Sequence, residues 1–185
     1  MKEIKVATRY AKALFDLALE KNILEQVFKD AGLIYDICES NRDFILFLRS
    51  PVIKENKKVT VLKNVFEKSI HELTLRFLLI ITKNRREAII QDIAEMFLEL
   101  FREYKNIIKA TVTTAVPIDK EIRDRMVKIM EEQTKASIEL KEKVDESIIG
   151  GFIMHFDDKQ YDASILRQIQ NLEKEFDVNL YIKGF

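Results

Sequence analysis

The spacing of apolar residues changes near residue 106 of this 185-residue chain. Before that point apolar residues recur every three or four positions, which is the period of a helix. Directly after it they alternate with more polar neighbours, which is the period of a strand, and segments of both periods follow. A segment patterned for one of these structures does not bury its apolar side chains in the other. The chain is therefore predicted to form two domains, residues 1–106 and 107–185.

Six helical segments are predicted in the first domain, separated by short polar breaks. They cover residues 4–21, 23–39, 42–49, 55–66, 70–84 and 86–106. Pro51 marks the firmest break, because a proline disfavours helical geometry at the residue before it, here Ser50. The chain contains only 4 Gly and 2 Pro, which favours long helices over many short strands. The first domain is predicted to be a compact six-helix bundle.

The second domain is predicted to mix strands and helices. Residues 108–116, 136–144 and 148–156 have strand spacing, and residues 162–176 return to helical spacing. Between the first two strands, Asp119 is placed to cap a helix that ends near Gln133. The order strand, helix, strand, strand, helix indicates a small α/β domain. The predicted fold class is mainly α, with an N-terminal six-helix bundle followed by a small α/β C-terminal domain.

The charge balance argues against nucleic acid as the usual partner. Lys and Arg together number 31, as do Asp and Glu, so the formal net charge is zero. A protein that neutralises many phosphates normally carries a basic surplus. The basic stretches 54–58 and 83–86 are short, and solvated helix ends explain them at least as well as phosphate contacts. No nucleic acid is predicted, although a helical RNA-binding regulator using residues 54–58 stays open as an alternative.

Catalytic and cofactor-binding patterns are missing from the sequence. Cys38, His71 and His155 are the only soft ligands, and no two of them have metal-ligand spacing. Cys38 is expected in the core, and a cysteine-dependent enzyme is the weaker alternative. The pair Gly150-Gly151 lacks the flanking residues of a phosphate loop, and it indicates a bulge or a close backbone approach. No metal, no cofactor and no catalytic residue is predicted.

No segment of the sequence is expected to cross a membrane. The longest purely apolar runs, residues 44–48 and 77–81, are much shorter than the roughly 20 residues that a spanning helix needs. The sequence also begins with mixed charged and apolar residues and no transit peptide, which favours a bacterial protein. Any association with a membrane is therefore expected to be indirect.

Two predicted helices carry more apolar surface than one buried face requires. In residues 4–21 the apolar arc covers roughly two-thirds of the helix circumference, which exceeds the stripe of an ordinary surface helix. Residues 73–81 are apolar almost all round. Such helices are either central in the bundle, or they form a groove for an amphipathic helix of a partner. Periodicity alone favours the first explanation.

Four short segments, spread over nearly the whole chain, resemble landmarks of one family. They are residues 6–15 (VATRYAKALF), 48–53 (LRSPVI), 144–152 (VDESIIGGF) and 161–165 (YDASI). In this order they resemble the delta subunit family of bacterial-type ATP synthases, whose eukaryotic relative is the oligomycin-sensitivity-conferring protein. The resemblance marks Gly150, Gly151, Asp162 and Ser164 as structural signature residues. Asp157-Asp158 departs from the Gly-Asp usual in the family.

The resemblance implies a non-catalytic role in the stator of a proton- or sodium-translocating ATP synthase. In that family the N-terminal domain binds the N-terminal helix of an alpha subunit on the catalytic head. The C-terminal domain contacts the C-terminal ends of the b subunits of the peripheral stalk. The implied location is the cytoplasmic face of the bacterial inner membrane, with membrane association only through the complex.

The resemblance also places the partner groove between the first and fifth helices. By position it implies that the groove is lined by Tyr10, Ala13, Leu14, Leu17, Leu75, Leu78, Leu79 and Thr82. Most of these residues belong to the two helices with excess apolar surface. The family resemblance therefore favours the groove, where periodicity alone favours an interior position.

Overall fold

A computed structural model of the chain describes residues 2–156 and 159–177. The chain divides into two compact units at Lys105 and Asn106, one residue from the predicted boundary. Asp157-Asp158 and residues 178–185 of the predicted second domain lie outside the described residues. The predicted fold class is confirmed, since a helical first unit is followed by a small unit containing a four-stranded sheet.

The first unit contains six α-helices joined by short connections. They are α1 (Lys2–Glu20), α2 (Leu24–Ser40), α3 (Arg42–Arg49), α4 (Glu55–Phe66), α5 (Glu72–Lys83) and α6 (Ile90–Lys105). The chain leaves α3 at Ser50, whose extended backbone (φ −67°, ψ 120°) is the conformation favoured before a proline. The six predicted helices are therefore present, with the short 3-10 turn Glu87–Ile89 ahead of α6.

The bundle is organised around α6, which packs against both α1 and α2. Ala7, Ala11 and Ala18 of α1 are fully buried, and small side chains of this kind let helices approach closely. Phe28 of α2 stacks on Phe101 of α6 with ring centroids 4.0 Å apart. On the other side of the unit, α4 and α5 pack against each other.

The start of α5 is fixed by a carboxylate from α2. Asp30, which is 5% exposed, accepts hydrogen bonds from the backbone N–H of His71 (2.9 Å) and the hydroxyl of Thr74 (2.6 Å). The Nδ1 atom of His71 accepts the N–H of Leu73 at 3.1 Å. These bonds satisfy N–H groups that the first turn of a helix leaves unpaired. His71 is therefore a capping residue.

A buried ion pair ties α3 and α4 to the turn before α6. The Lys58 ammonium donates to the carbonyl oxygen of Leu48 (2.6 Å) and to the carboxylate of Glu87 (2.5 Å). Lys58 is only 2% exposed, so the solvated helix end predicted for residues 54–58 is wrong at this position. The reason is tertiary, because the acceptors for this ammonium come from two distant parts of the chain.

Among its described residues, the second unit contains a four-stranded sheet and two α-helices. These elements are β1 (Ile107–Thr114), α7 (Lys120–Thr134), β2 (Ser137–Val144), β3 (Phe152–Phe156), β4 (Lys159–Asp162) and α8 (Ile165–Asp177). The strand order is β2-β1-β3-β4, with β1 parallel to β2 and the other two pairs antiparallel. Strand β4 was not predicted, because its four residues are too few to show an alternating pattern.

The core of the second unit lies between α7 and one face of the sheet. Ala110 and Val112 of β1, Leu140 of β2 and Met154 of β3 cluster with Met130 of α7. The register places Ala110 beside Leu140 and Val112 beside Met154. The alternating pattern of the sequence therefore corresponds to one buried sheet face.

The glycine pair precedes β3 and does not lie within it as predicted. A Cβ atom on Gly151, whose φ is +75°, would collide with the carbonyl oxygen of Ala163. A Cβ on Gly150 would lie 2.7 Å from the Ile165 side chain. The predicted close backbone approach is thus present, and it brings the turn before β3 against the start of α8.

Candidate partner-binding surfaces

Neither a metal cluster nor an accessible thiol is found in the part of the chain that the structure describes. Within residues 2–156 and 159–177, no group of three or more His, Cys, Asp or Glu side chains is placed to hold a metal ion. Cys38 is fully buried as predicted, and burial raises the pKa of its thiol to about 11. The nucleophilic thiolate is therefore scarce at neutral pH. In the same residues no helix has the length and apolarity to span a membrane.

An open apolar groove of about 360 Å³ lies between α1 and α5. Its apolar lining is Leu17 of α1 with Leu73, Phe77 and Ile80 of α5, and its polar rim is Lys21, His71, Glu72 and Arg76. Leu17 is 38% exposed and Ile80 is 55% exposed. These four apolar residues are called the groove lining below.

The groove is open because each of its helices buries a different face against another neighbour. Helix α1 packs mainly against α6, and α5 packs mainly against α4. Beside the groove the two helices meet through Tyr10, whose ring contacts that of Phe77 edge-on at a centroid distance of 6.5 Å. The apolar residues of α1 and α5 that line the groove are left without a covering element among the described residues.

The structure divides the eight groove residues implied by the resemblance into three sets. Ala13 and Leu17 are exposed and Tyr10 is half-buried, so these residues of α1 remain accessible. Leu14 is 4% exposed, Leu78 3% and Thr82 0%. The Thr82 hydroxyl donates to the carbonyl oxygen of Leu78 at 2.8 Å. Leu14, Leu78 and Thr82 are therefore interior residues and do not line the open groove.

The implied lining of α5 lies on the opposite flank from the open groove. Leu75 and Leu79 are half-buried, and at 100° per residue each is about 160° around the helix from Phe77. The groove lining instead uses the spacing 73, 77 and 80. Nothing in the sequence singles out this flank, because residues 73–81 are apolar almost all round. Whether a partner binds in the groove remains a prediction.

A second apolar groove, of about 800 Å³, lies on the C-terminal unit between α7 and the turn that leads into β3. Its lining includes Val116, Ile122, Met126, Ile129, Phe152 and Tyr161. Ile122 is 51% exposed, Ile129 55% and Tyr161 60%. Helix α7 packs on the β2 side of the sheet, which leaves the β3–β4 side without a covering helix among the described residues. Residues 149–151 also line this second groove.

An apolar stripe on α8 adds to the exposed surface of the C-terminal unit. Ile165, Ile169, Leu172 and Phe176 follow one another at intervals of four, three and four residues. Their exposed fractions run from 40% at Ile169 to 85% at Phe176. This interval pattern is that of a seam between helices.

The signature residues Asp162 and Ser164 fix the start of α8. The Asp162 carboxylate accepts the N–H of Ser164 at 3.0 Å, and the Ser164 hydroxyl accepts the N–H of Arg167 at 3.2 Å. Hydrogen bonding by Ser164, through its side chain and its backbone, lowers the pKa of Asp162, and the nearby Arg167 acts in the same direction. These two residues have a capping role at the start of α8.

The fold and these surfaces define a two-unit protein whose open faces are apolar and suited to helices of other chains. The family model described as ATP synthase delta (OSCP) subunit matches residues 6–176. The chain is 38% identical over 182 residues to the ATP synthase subunit delta of Christiangramia forsetii, with 98% of each chain covered. It is 36% identical over 177 residues to that of Cytophaga hutchinsonii, with 95% of this chain and 96% of the relative covered.

The fold is also found in a solved structure. A chain of the Toxoplasma gondii mitochondrial ATP synthase hexamer superposes with a TM-score of 0.70 at 21% identity, covering 94% of this chain and 98% of that one. At this identity the likeness shows the fold alone. The sequence matches show more: the chain belongs to the ATP synthase delta (OSCP) subunit family and is a non-catalytic subunit of an ATP synthase. The family predicted from the sequence is confirmed.

Proposed function

We propose that this protein connects the catalytic head of the ATP synthase to its peripheral stalk and holds the head against the torque of the rotor. The observation that carries the proposal is the open apolar groove between α1 and α5. A connector of this kind needs a tight contact at each end and no chemistry. Each unit of the chain presents an open apolar groove, and this arrangement supports a contact at each end of the connector.

The proposed occupant of the α1–α5 groove is the N-terminal helix of an alpha subunit. An amphipathic helix covers a narrow apolar groove with residues spaced three and four apart. Burying a large apolar side chain contributes roughly 1.5 to 3 kcal/mol. Several anchors on each partner are therefore needed to offset an association cost of about 4 to 15 kcal/mol. Ala13 is accessible on α1, and its small side chain lets a partner helix approach α1 closely.

The proposed partners of the C-terminal unit are the C-terminal ends of the b subunits. Two observations support this assignment: the large groove beside α7 and the helical seam pattern on α8. Both surfaces fit helical segments, and they lie on the unit that does not carry the α1–α5 groove. The protein is thereby held at the cytoplasmic face of a bacterial inner membrane, and its membrane association is through the complex.

The proposal is tested by placing a charge in the α1–α5 groove of the full-length chain. The ligand is a synthetic peptide with the sequence of the N-terminal helix of an alpha subunit. We expect Ile80→Asp and Leu17→Asp to weaken binding of this peptide by more than about tenfold. An unpaired buried carboxylate costs well over the roughly 1.4 kcal/mol that a factor of ten represents. Isothermal titration calorimetry measures the affinity, and thermal unfolding checks that each variant folds.

Val65→Asp is the matched control, because Val65 is a 41% exposed apolar residue of α4 outside the groove lining. This variant should bind as the parent chain does. Parental affinity in both groove variants would remove the groove from the proposal. The RNA-binding alternative gains no support from the structure, because Lys58 of the basic stretch 54–58 is buried in an ion pair.

A further inference from the structure

A basic cluster lies at the C-terminal end of α5, next to the α1–α5 groove. Lys83, Arg85 and Arg86 fall within four residues, and all three are exposed. Cations at the C-terminal end of a helix interact favourably with its dipole, which explains why positive charge is favoured at the end of α5. The dipole does not explain which group outside the bundle the cluster binds.

Backbone hydrogen bonds fix the position of the cluster. The N–H of Arg85 donates to the carbonyl oxygen of Thr82 (2.9 Å), and that of Arg86 donates to the carbonyl oxygen of Ile81 (3.1 Å). These two bonds, with Arg85 in the left-handed conformation at φ +55°, form a Schellman motif that closes α5. Glycine usually occupies that position because it adopts the conformation at lower cost. Here the position carries a charge.

Ring contacts join the cluster to the groove. The guanidinium carbon of Arg86 lies 5.8 Å from the centroid of the Tyr10 ring, within the range of a cation–π contact. Tyr10 in turn packs edge-on against Phe77 of the groove lining. The Arg86 guanidinium is therefore held at the Tyr10 end of the groove.

The two ends of the groove differ in charge. Within the described residues, no carboxylate pairs with Lys83, Arg85 or Arg86, and the next acid along the chain, Glu87, is occupied by Lys58. At the other end the rim cations are Lys21 and Arg76, and Arg76 is paired with Glu72 at 2.5 Å. The excess of positive charge is therefore larger at the end where Tyr10 lies.

We propose that the basic cluster sets the direction of the helix bound in the groove by binding carboxylates near one end of that helix. This inference rests on the proposed function, and it names the chemistry of the partner. From Tyr10 to Lys21 the groove side of α1 measures about 16 Å, or three helical turns. The partner is thus a helix with an apolar stripe of about three turns and with Asp or Glu residues beyond one end of that stripe. Arginine favours such carboxylates because its planar donors bind both oxygens.

The test is a thermodynamic cycle between the full-length chain and the synthetic peptide from the alpha subunit. One side of the cycle compares the parent chain with the double variant Arg85→Glu/Arg86→Glu. The other compares the peptide with an analogue whose Asp and Glu residues are replaced by Asn and Gln. We expect the parent chain to prefer the acidic peptide by about tenfold at low salt, and this preference should shrink at high salt. The double variant should lose the preference for the acidic peptide.

Lys29→Glu/Lys57→Glu is the charge-matched control, because it also reverses two exposed cations and neither residue belongs to the groove lining. It should retain the preference for the acidic peptide. Equal binding of both peptides by the parent chain, with Ile80→Asp still abolishing that binding, overturns the inference and leaves the proposed function intact. If the cycle shows no coupling and the double variant instead loses affinity for a uridine oligonucleotide, the cluster binds phosphate and the inference is also overturned. If Ile80→Asp changes the binding of neither peptide, the proposed function itself fails.

Discussion

At the residue scale, Lys58 shows how strongly environment decides the role of a charged side chain. Its long aliphatic stem is buried in the bundle, and its ammonium group reaches an acceptor at the end of α3 and a carboxylate before α6. Within the described residues, the second carboxylate oxygen of Glu87 has no hydrogen-bond partner. The stability of this site therefore depends on the charge of Lys58.

We expect Lys58→Met to destabilise the chain by about 3 to 5 kcal/mol, because it keeps most of the stem but leaves a carboxylate without its cation. Urea unfolding measures the loss. The exposed Lys57→Met should change stability by less than about 0.5 kcal/mol. The double variant Lys58→Met/Glu87→Gln should recover much of the loss, since no unpaired charge remains. A single variant as stable as the parent would contradict the assigned role of the pair.

At the element scale, α8 begins where it does because of two hydrogen-bonded residues. Ser164 is 2% exposed and caps the helix, while Asp162 accepts the N–H of Ser164. The glycine pair allows this start to lie against the turn before β3. The sequence resemblance marked all four residues, and the structure supplies the physical reason for each of them.

Ser164→Ala should cost about 1 kcal/mol, with a range of roughly 0.5 to 2, because it leaves the first turn of α8 without its cap. Hydrogen exchange of the α8 amides measures the local effect, and thermal unfolding measures the whole chain. Gln168→Ala is the control, since Gln168 is an exposed residue of the same helix. Unchanged protection of α8 in Ser164→Ala would show that the cap contributes nothing.

The pH dependence of this cap follows from the lowered pKa of Asp162. The carboxylate is stabilised in the folded state, so its contribution is present above the ordinary Asp pKa of 3.8 and is lost as pH falls through the lower folded value. The stability difference between the parent chain and Asp162→Asn should therefore be present at pH 7 and disappear in strong acid. Unfolding curves at a series of pH values measure it. A constant difference over that range would exclude ionisation of Asp162 as the cause.

At the scale of the whole molecule, the two units carry separate apolar surfaces. Ile80 lies in the groove of the first unit, and Ile129 lies in the larger groove of the second. If the protein is a connector, each surface serves one partner. Connection then depends on both surfaces, although each binding event depends on only one.

We expect Ile80→Asp to abolish binding of the peptide from the alpha subunit and to leave binding of a peptide from the C-terminal end of a b subunit unchanged. Ile129→Asp should do the opposite. Only the parent chain, and a control variant such as Val144→Asp on an exposed position of β2, should form the ternary complex. Size-exclusion chromatography with light scattering measures complex formation. Loss of both peptides from one variant, with its fold intact, would contradict separate surfaces.

The sequence by itself determined the division into two domains, the six helices of the first unit, the core position of Cys38 and the close approach at the glycine pair. Each of these features depends either on the local spacing of apolar residues or on the backbone conformation that a particular proline or glycine requires. The four landmark segments determined the family. Strand β4 was missed because a four-residue strand is set by pairing with β3 more than by its own pattern.

Only the tertiary structure decided which flank of α5 is open and that Lys58 is buried. Residues 73–81 are apolar on nearly every side, so their periodicity states how much surface must be covered but not which neighbour covers it. Packing within the bundle buries the flank with Leu78 and Thr82 and leaves Phe77 and Ile80 in the lining of the α1–α5 groove. Such choices depend on residues distant in sequence, and a local pattern contains no record of them.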